Sequence, residues 1–267
     1  MKAMVFAAGL GTRLRPLTND RPKALVTIAG RTLLEITLSR LRTFGVREVI
    51  VNVHHFADQV VAYLAANQNF GMRIEVSREE ILLNTGGGLK KAAWFFLESG
   101  ASALGPIHEP FLIHNVDVLS TVDLVRMTQF HAQHNALATL AVAERATSRP
   151  LLFSMQGQLL GRAAANKTEA LGASGPSLAG TRDSTNDEDA NSGTALAFAG
   201  IHVVSPRIFD RLDEEGAFPI IDAYVRLAAQ GQTIPGFRAD GAYWRDLGRP
   251  DDLIAAERDL ESGKYAG

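Results

Sequence analysis

"KAMVFAAGLGTRLRPLTNDRPKAL", residues 2–25, opens as an apolar run, breaks at Gly9 and Gly11, and then carries the cations Arg13, Arg15, Arg21 and Lys23. A continuous apolar run ending in glycine is the pattern of a strand buried on both faces, as in a parallel sheet. Glycines directly after such a strand let backbone N–H groups point at phosphate oxygens, where a Cβ would obstruct. Two familiar phosphate-binding spacings are excluded. No Lys-Ser or Lys-Thr follows a second glycine as in G-x-x-x-x-G-K-[ST], and G-x-G-x-x-G needs glycine where Leu14 stands. Taken alone, the stretch is either a phosphate cradle or a tight turn that binds nothing.

Outward from it, strand-like and helix-like runs alternate. Residues 32–44 carry apolar side chains at helical spacing and are followed by Gly45, a C-terminal stop signal. Strands are expected at 47–53, 72–79, 110–117 and 136–144, and helices at 57–67 and 89–99. Ser120, with Asp123 three residues on, has the form of a capping box opening the next helix. This order predicts an α/β fold: a doubly wound, mostly parallel sheet between two helical layers, Rossmann-like. Past residue 145, 150–162 reads as two strands around a Gln-Gly turn. Residues 163–193 are small and polar without periodicity, and a flexible insert is expected there. A strand at 194–205, Ser205-Pro206 as a helix start, a helix at 218–230, a strand at 233–241 and a closing helix from Pro250 complete the chain.

The 267 residues are 46% hydrophobic, enough for a large core, and the net charge of −2 offers no global field for nucleic acid or a membrane surface. Without cysteine there is no disulfide, thiolate metal site or cysteine nucleophile. The N-terminal apolar run is too short for a signal peptide, and no window approaches the ~20 apolar residues of a membrane span. A soluble, cytoplasmic protein is expected.

The opening stretch resembles the signature of the sugar-1-phosphate nucleotidyltransferases, A-G-x-G-T-R-L-x-P-L-T-x-x-x-P-K-x-L, without a gap: Ala8, Gly9, Gly11, Thr12, Arg13, Leu14, Pro16, Leu17, Thr18, Pro22, Lys23 and Leu25. The resemblance extends over nearly the whole chain apart from the insert. It implies a single domain with a nucleotide-binding half (1–145), a sugar-binding half (146–248) and a C-terminal helix (249–267). It also implies the reaction of an NTP with a sugar 1-phosphate to give an NDP-sugar and pyrophosphate. Ala8, Gly9, Gly11 and Thr12 would line the triphosphate, Arg13 would hold the leaving pyrophosphate and Lys23 the α-phosphate. The L-x-T-G-G-G pattern and the short C-terminus look most like N-acetylmuramate 1-phosphate uridylyltransferases and mannose- or heptose-1-phosphate guanylyltransferases. UTP or GTP is therefore the expected donor, to a monomer or homodimer.

Further motifs fit the same resemblance. In "NTGGGLKKA" (84–92), Thr85, Gly86 and Gly87 match T-G-G, whose backbone would contact base and ribose at a helix entry, with Asn52 facing the same crevice. In "IHNVDVLS" (113–120), Asn115 and Asp117 match N-G-D with Val116 in place of glycine, which puts bulk beside the nucleotide. "YWRDLGRPDDL" (243–253) matches W-x-D-x-G-x-P-x-x-L, making Asp246 the partner of Asp117 in holding Mg²⁺. The sugar side is thinner. The family's Glu-Lys segment is absent, leaving Arg149 for the sugar phosphate and Gly200, in an F-x-G-I-x-V-like strand, for approach of the ring. His54 and His55 point opposite ways on a strand end, which favours a structural or base-edge role over a metal. Trp94, Phe95 and Phe96 are expected in the core. The competing readings are a cytidylyltransferase for phosphocholine and a non-catalytic nucleotide-binding regulator.

Overall fold

A computed structural model describes residues 1–98, 109–163 and 193–265. In chain order the elements are β1 (Lys2–Phe6), β2 (Thr27–Ile28), β3 (Arg31–Thr32), α1 (Leu33–Thr43), β4 (Glu48–Val53), α2 (Ala57–Ala66), β5 (Arg73–Arg78), α3 (Asn84–Lys91) and α4 (Ala93–Leu97). There follow β6 (Phe111–Asn115), β7 (Val118–Ser120), α5 (Leu124–Gln133), β8 (Ala138–Ala143), β9 (Leu151–Phe153), β10 (Leu159–Arg162), β11 (Thr194–Val204), α6 (Ile220–Ala229), β12 (Gly236–Arg238), β13 (Trp244–Asp246) and α7 (Pro250–Glu261).

The expected doubly wound sheet is present. β5, β4, β1 and β6 run parallel, with β1 in the middle. β11 lies antiparallel between β6 and β8, and β12 is parallel to β8. The β9–β10 hairpin attaches to the first part of β11. On β1 the side chains alternate between two cores. Ala3 and Val5 face Leu34 and Leu38 of α1, Val60 of α2 and Leu253 of α7, whereas Met4 and Phe6 face Leu89, Phe95 and Tyr224 from α3, α4 and α6. Period-two alternation with both faces apolar explains why β1 reads as an unbroken apolar run.

Local signals mostly act as expected. Thr32 caps α1 by accepting from the Glu35 N–H at 3.0 Å, and Gly45 follows the helix at φ +80°. Ser205 accepts from Arg207 ahead of a short 3₁₀ turn at Pro206–Asp210. Three expectations are corrected. Ser120 is the last residue of β7, paired with Trp244, and its hydroxyl accepts from Val122, while Asp123 caps α5 through the Arg126 N–H at 2.9 Å. The helix expected at 89–99 begins earlier, at Asn84, and is divided at Ala92 into α3 and α4. The break turns Trp94 outward, 46% exposed, while Phe95 and Phe96 stay buried. Of the insert expected at 163–193, residues 164–192 lie outside the described residues.

Three buried histidines make the core sensitive to acid. Burial pushes His114 and His131 down to about 4 and His202 down to about 3. Below about pH 6.5 the unfolded chain binds protons that the folded chain refuses, so stability is complete above that pH and falls as pH drops toward 4. With all three contributing, the slope near pH 5 reaches about 4 kcal/mol per pH unit. Urea melts at pH 7.5 and 5.0 should show a marked drop in the midpoint. Equal midpoints would mean that these histidines do not set the acid limit.

Candidate active site

The loop after β1 is held from beneath by a buried brace. The Asn52 side chain, at the end of β4, accepts from the Ala7 N–H at 2.9 Å and donates to Glu79 Oε1 at 2.7 Å. Glu79 Oε2 accepts from the Leu83 N–H at 2.9 Å. One amide and one carboxylate thus tie together the loops leaving β1, β4 and β5, at the carboxyl edge where sheets of this kind bind ligands. Asn52 is 2% exposed, so it positions the loop instead of lining the crevice as expected.

Gly11 has φ +64°, and a Cβ there would stand 3.0 Å from Thr18 Cγ2 and 3.1 Å from Lys23 Cβ. Thr18 Oγ1 donates to Gly11 O at 2.9 Å, folding the following segment back so that Lys23 comes under the loop. Ala8 is buried, while Gly9, Thr12 and Arg13 are exposed at the loop surface. A Cβ at Gly9 would meet no protein atom within 4 Å, so this glycine is not required by the protein's own packing.

The two sequence-distant carboxylates meet through a two-stranded ribbon. β7 and β13 pair antiparallel with Asp246 opposite Val118, and the Leu247 N–H donates to Asp117 O at 2.8 Å. Lys23, almost wholly buried, places Nζ 2.5 Å from Asp117 Oδ2. Gly248 admits the fourth member: a Cβ there would lie 2.6 Å from Arg13 Nη2 and 2.7 Å from Asp246 Oδ1. Arg13, Lys23, Asp117 and Asp246 therefore form one cluster. Burial, then the charge of Asp117, raises the Asp246 pKa, with Lys23 and Arg13 opposing. Asp246 Oδ1 is buried with no hydrogen-bond partner among the described residues. A buried carboxylate oxygen left unpaired beside a second carboxylate is the arrangement a hard cation stabilises.

Val116 adds its bulk to the hydrophobic core, 4% exposed, and not to the crevice. The three-glycine motif is also read differently in three dimensions. Thr85 Oγ1 accepts from the Ile220 N–H at 2.9 Å and so caps α6, and Gly86 donates to Phe218 O at 2.8 Å. A Cβ on Gly86 would sit 2.1 Å from the Phe218 ring, one on Gly87 2.3 Å from Gly216 O, and one on Gly88 2.7 Å from Glu79 Oε1. The glycines lie inside the first turn of α3 and are required by close packing against the 216–218 segment and the Asn52–Glu79 brace.

On the acceptor side, Gly200 has φ +76° where the pairing of β11 with β8 shifts register. A Cβ there would lie 2.9 Å from Asn115 Nδ2 and 3.0 Å from Val118 Cγ2. The Asn115 side chain, at the end of β6 beside the ribbon, therefore packs close against Gly200. Arg149 is exposed and its side chain makes no hydrogen bond or ion pair among the described residues. The arginine turned inward is Arg145, whose guanidinium carbon lies 3.2 Å from the Trp244 ring centroid. Trp244 in turn donates from Nε1 to Ala199 O at 2.8 Å. His54 keeps a structural role, its Nδ1 2.9 Å from Glu79 O. Arg145, Glu79 and Gly248 escape sequence reasoning. Only Gly248 had a local signal, the glycine of W-x-D-x-G.

The chain is 35% identical to the N-acetylmuramate alpha-1-phosphate uridylyltransferase of Caulobacter vibrioides over 263 residues, covering 97% of this chain and 96% of that protein. It is 29% identical to the mannose-1-phosphate guanylyltransferase of Mycobacterium tuberculosis, spanning 98% of this chain and 65% of the relative's length. Similar solved structures include a UDP-glucose pyrophosphorylase complexed with UDP-glucose (TM-score 0.72, 19% identity, 98% of each chain) and the inositol-1-phosphate CTP transferase of T. maritima (TM-score 0.72, 16% identity, 100% of this chain and 96% of that one). At these identities the structures attest the fold. The sequence profile described as nucleotidyl transferase matches residues 2–153, more than half of the chain, and with that the protein belongs to the nucleotidyl transferase family.

Proposed function

We propose that this enzyme transfers a nucleotidyl group from an NTP to a sugar 1-phosphate, giving an NDP-sugar and pyrophosphate. The observation that carries the reading is the convergence of Arg13, Lys23, Asp117 and Asp246, with the unpaired buried oxygen of Asp246 at its centre. A sugar-phosphate oxygen attacks the α-phosphorus, the bond to the β-phosphate breaks and pyrophosphate leaves. Both reactants are anions, so catalysis is chiefly alignment and charge stabilisation. Arg13, a planar fork, suits the leaving pyrophosphate, and Lys23, a point charge, suits the α-phosphate and incoming phosphate. Mg²⁺ fits the carboxylate pair, since it takes oxygen ligands and completes its shell with phosphate oxygens and water. When bound, it supplies charge neutralisation for the phosphates. Residues 1–145 form the nucleotide half and 146–248 the acceptor half around this centre. No helix among the described residues is long and apolar enough to cross a membrane, and a cytoplasmic location accords with an NTP substrate.

UTP is the first candidate donor, because the Caulobacter relative matches over nearly the full length of both chains. GTP is the second. Pyrophosphate release measured for each NTP against sugar 1-phosphates and choline phosphate tests the reading. Reaction with choline phosphate alone would establish the cytidylyltransferase alternative, and NTP binding without pyrophosphate from any acceptor would establish the regulator. A finer test uses Gly9→Ala. With open space at its Cβ position the variant should match wild type in stability within about 0.5 kcal/mol. As a cradle residue it should raise the KM for NTP roughly tenfold, about the cost of one hydrogen bond. An unchanged KM would remove Gly9 from the triphosphate site.

A further inference from the structure

Arg145 is a cation without a structural task that accounts for it. It follows β8, is partly buried, and lays its guanidinium on the Trp244 ring at 3.2 Å. It donates one hydrogen bond to Phe198 O, and its buried Nε has no partner among the described residues. Burial lowers its pKa and the charge of Asp246 opposes that shift. The acids beside it are already engaged. Arg238 bonds Glu144 at 2.7 Å and Asp240 at 2.6 Å, and Asp240 also accepts from the Glu144 N–H. Arg145 thus contributes a cation with no ion pair among the described residues to a cavity of about 170 Å³, walled by Trp244, by small alanine side chains and by Glu144 and Asp240, which Arg238 already engages.

The place of this cavity is fixed by β13. Trp244 and Asp246 are two residues apart on that strand, so they share a face and stand roughly 7 Å apart along it. The reacting phosphates belong at the carboxylate pair. A group bound at Arg145 is therefore separated from them by about the width of a sugar ring. The cavity is smaller than those that enclose whole substrates, which run from roughly 300 Å³ upward, and matches a substituent instead. An arginine whose guanidinium carbon rests over an indole ring keeps a planar N–H fork, the geometry suited to paired carboxylate oxygens.

Resting on the nucleotidyl-transfer reading above, we propose that Arg145 is a specificity-determining residue, which takes a carboxylate carried by the sugar, away from its reacting phosphate, in the cavity beside Trp244. The enzyme's preferred acceptor is then an acidic sugar 1-phosphate.

The test compares N-acetylmuramate 1-phosphate, which bears a carboxylate on an ether substituent, with N-acetylglucosamine 1-phosphate, which lacks that substituent. Wild type should favour the acidic acceptor in kcat/KM. Arg145→Ala should raise its KM for that acceptor at least tenfold, the usual loss for a charge-assisted hydrogen bond. The KM for the neutral acceptor and for the NTP should stay within about threefold. Arg145→Lys, which keeps the charge but not the fork, should recover part of the preference and serves if the alanine variant does not fold. Equal losses on both acceptors, or a wild type that does not distinguish them, would overturn this inference while leaving nucleotidyl transfer standing. No pyrophosphate from wild type with any sugar phosphate would overturn both.

Discussion

Asp246→Asn should lower turnover by about 10³-fold and leave the protein at least as stable as wild type. The carboxylate is half-buried beside Asp117 and one of its oxygens is unpaired, with its pKa raised first by burial and then by that neighbour. An acid whose folded pKa lies above its unfolded value costs stability at every pH above both. At neutral pH the full penalty is present, and it is relieved only as the pH falls through the raised pKa. Asparagine keeps the shape and removes the charge, and with it that penalty. The proposed centre loses a ligand for its cation and a charge facing the transferred nucleotidyl phosphate, and a fall in kcat on the order of 10³ is expected, the scale of losing one well-placed electrostatic group. Thermal melts without divalent cation and steady-state pyrophosphate release are the two measurements. Activity within tenfold of wild type would remove Asp246 from the centre, and a lower melting temperature would show that its charge is structurally needed. A site residue that trades stability for function is the pattern expected here.

The largest structural effect is expected from Gly87→Ala. The added Cβ would stand 2.3 Å from the carbonyl oxygen of Gly216, a backbone atom that cannot rotate aside. Either α3 or the 216–218 segment must move, and both are anchored, by the Gly86 to Phe218 hydrogen bond and by the Thr85 cap on α6. Overpacking of this severity costs about 3 kcal/mol. In a domain of this size that lowers the melting temperature by about 6–12 °C. A urea midpoint that falls at constant slope would report the loss directly. An unchanged midpoint would mean that the segment yields freely and that the glycine serves something other than packing. Gly9→Ala is the internal contrast, a glycine beside the same crevice with open space where Gly87 has none.

What could be read from the chain divides by range. The loop of Gly9 to Lys23 was legible because its chemistry is contiguous: glycine φ, a returning threonine and a buried lysine all lie within fifteen residues. The sheet was legible because both faces of β1, β4 and β6 are apolar. Asp246 was legible only through its W-x-D-x-G frame, since nothing local announces that β13 will lie against β7. The packing role of Gly86 and Gly87 was not legible because the segment that crowds them lies about 130 residues downstream. Ser120 has the chemistry of a helix cap, but pairing with Trp244 claims its backbone first. Arg145 and Arg149 lie four residues apart in one loop with equal charge, and only the position of Trp244 decides which of them is drawn inward. Val116 looked like an obstruction because sequence cannot tell which side of a strand end meets the core.

The pairing of β7 with β13 also bears on how the protein is made. Synthesis proceeds from the N-terminus, and β13 leaves the ribosome about 120 residues after β7. Until it docks, the chain has its glycine loop, Lys23 and one carboxylate, but not the second carboxylate or the Gly248 passage for Arg13. A polypeptide stalled or clipped before Trp244 retains groups that attract phosphates while lacking the set proposed to react them. Competence for the proposed chemistry is thereby tied to synthesis of β13.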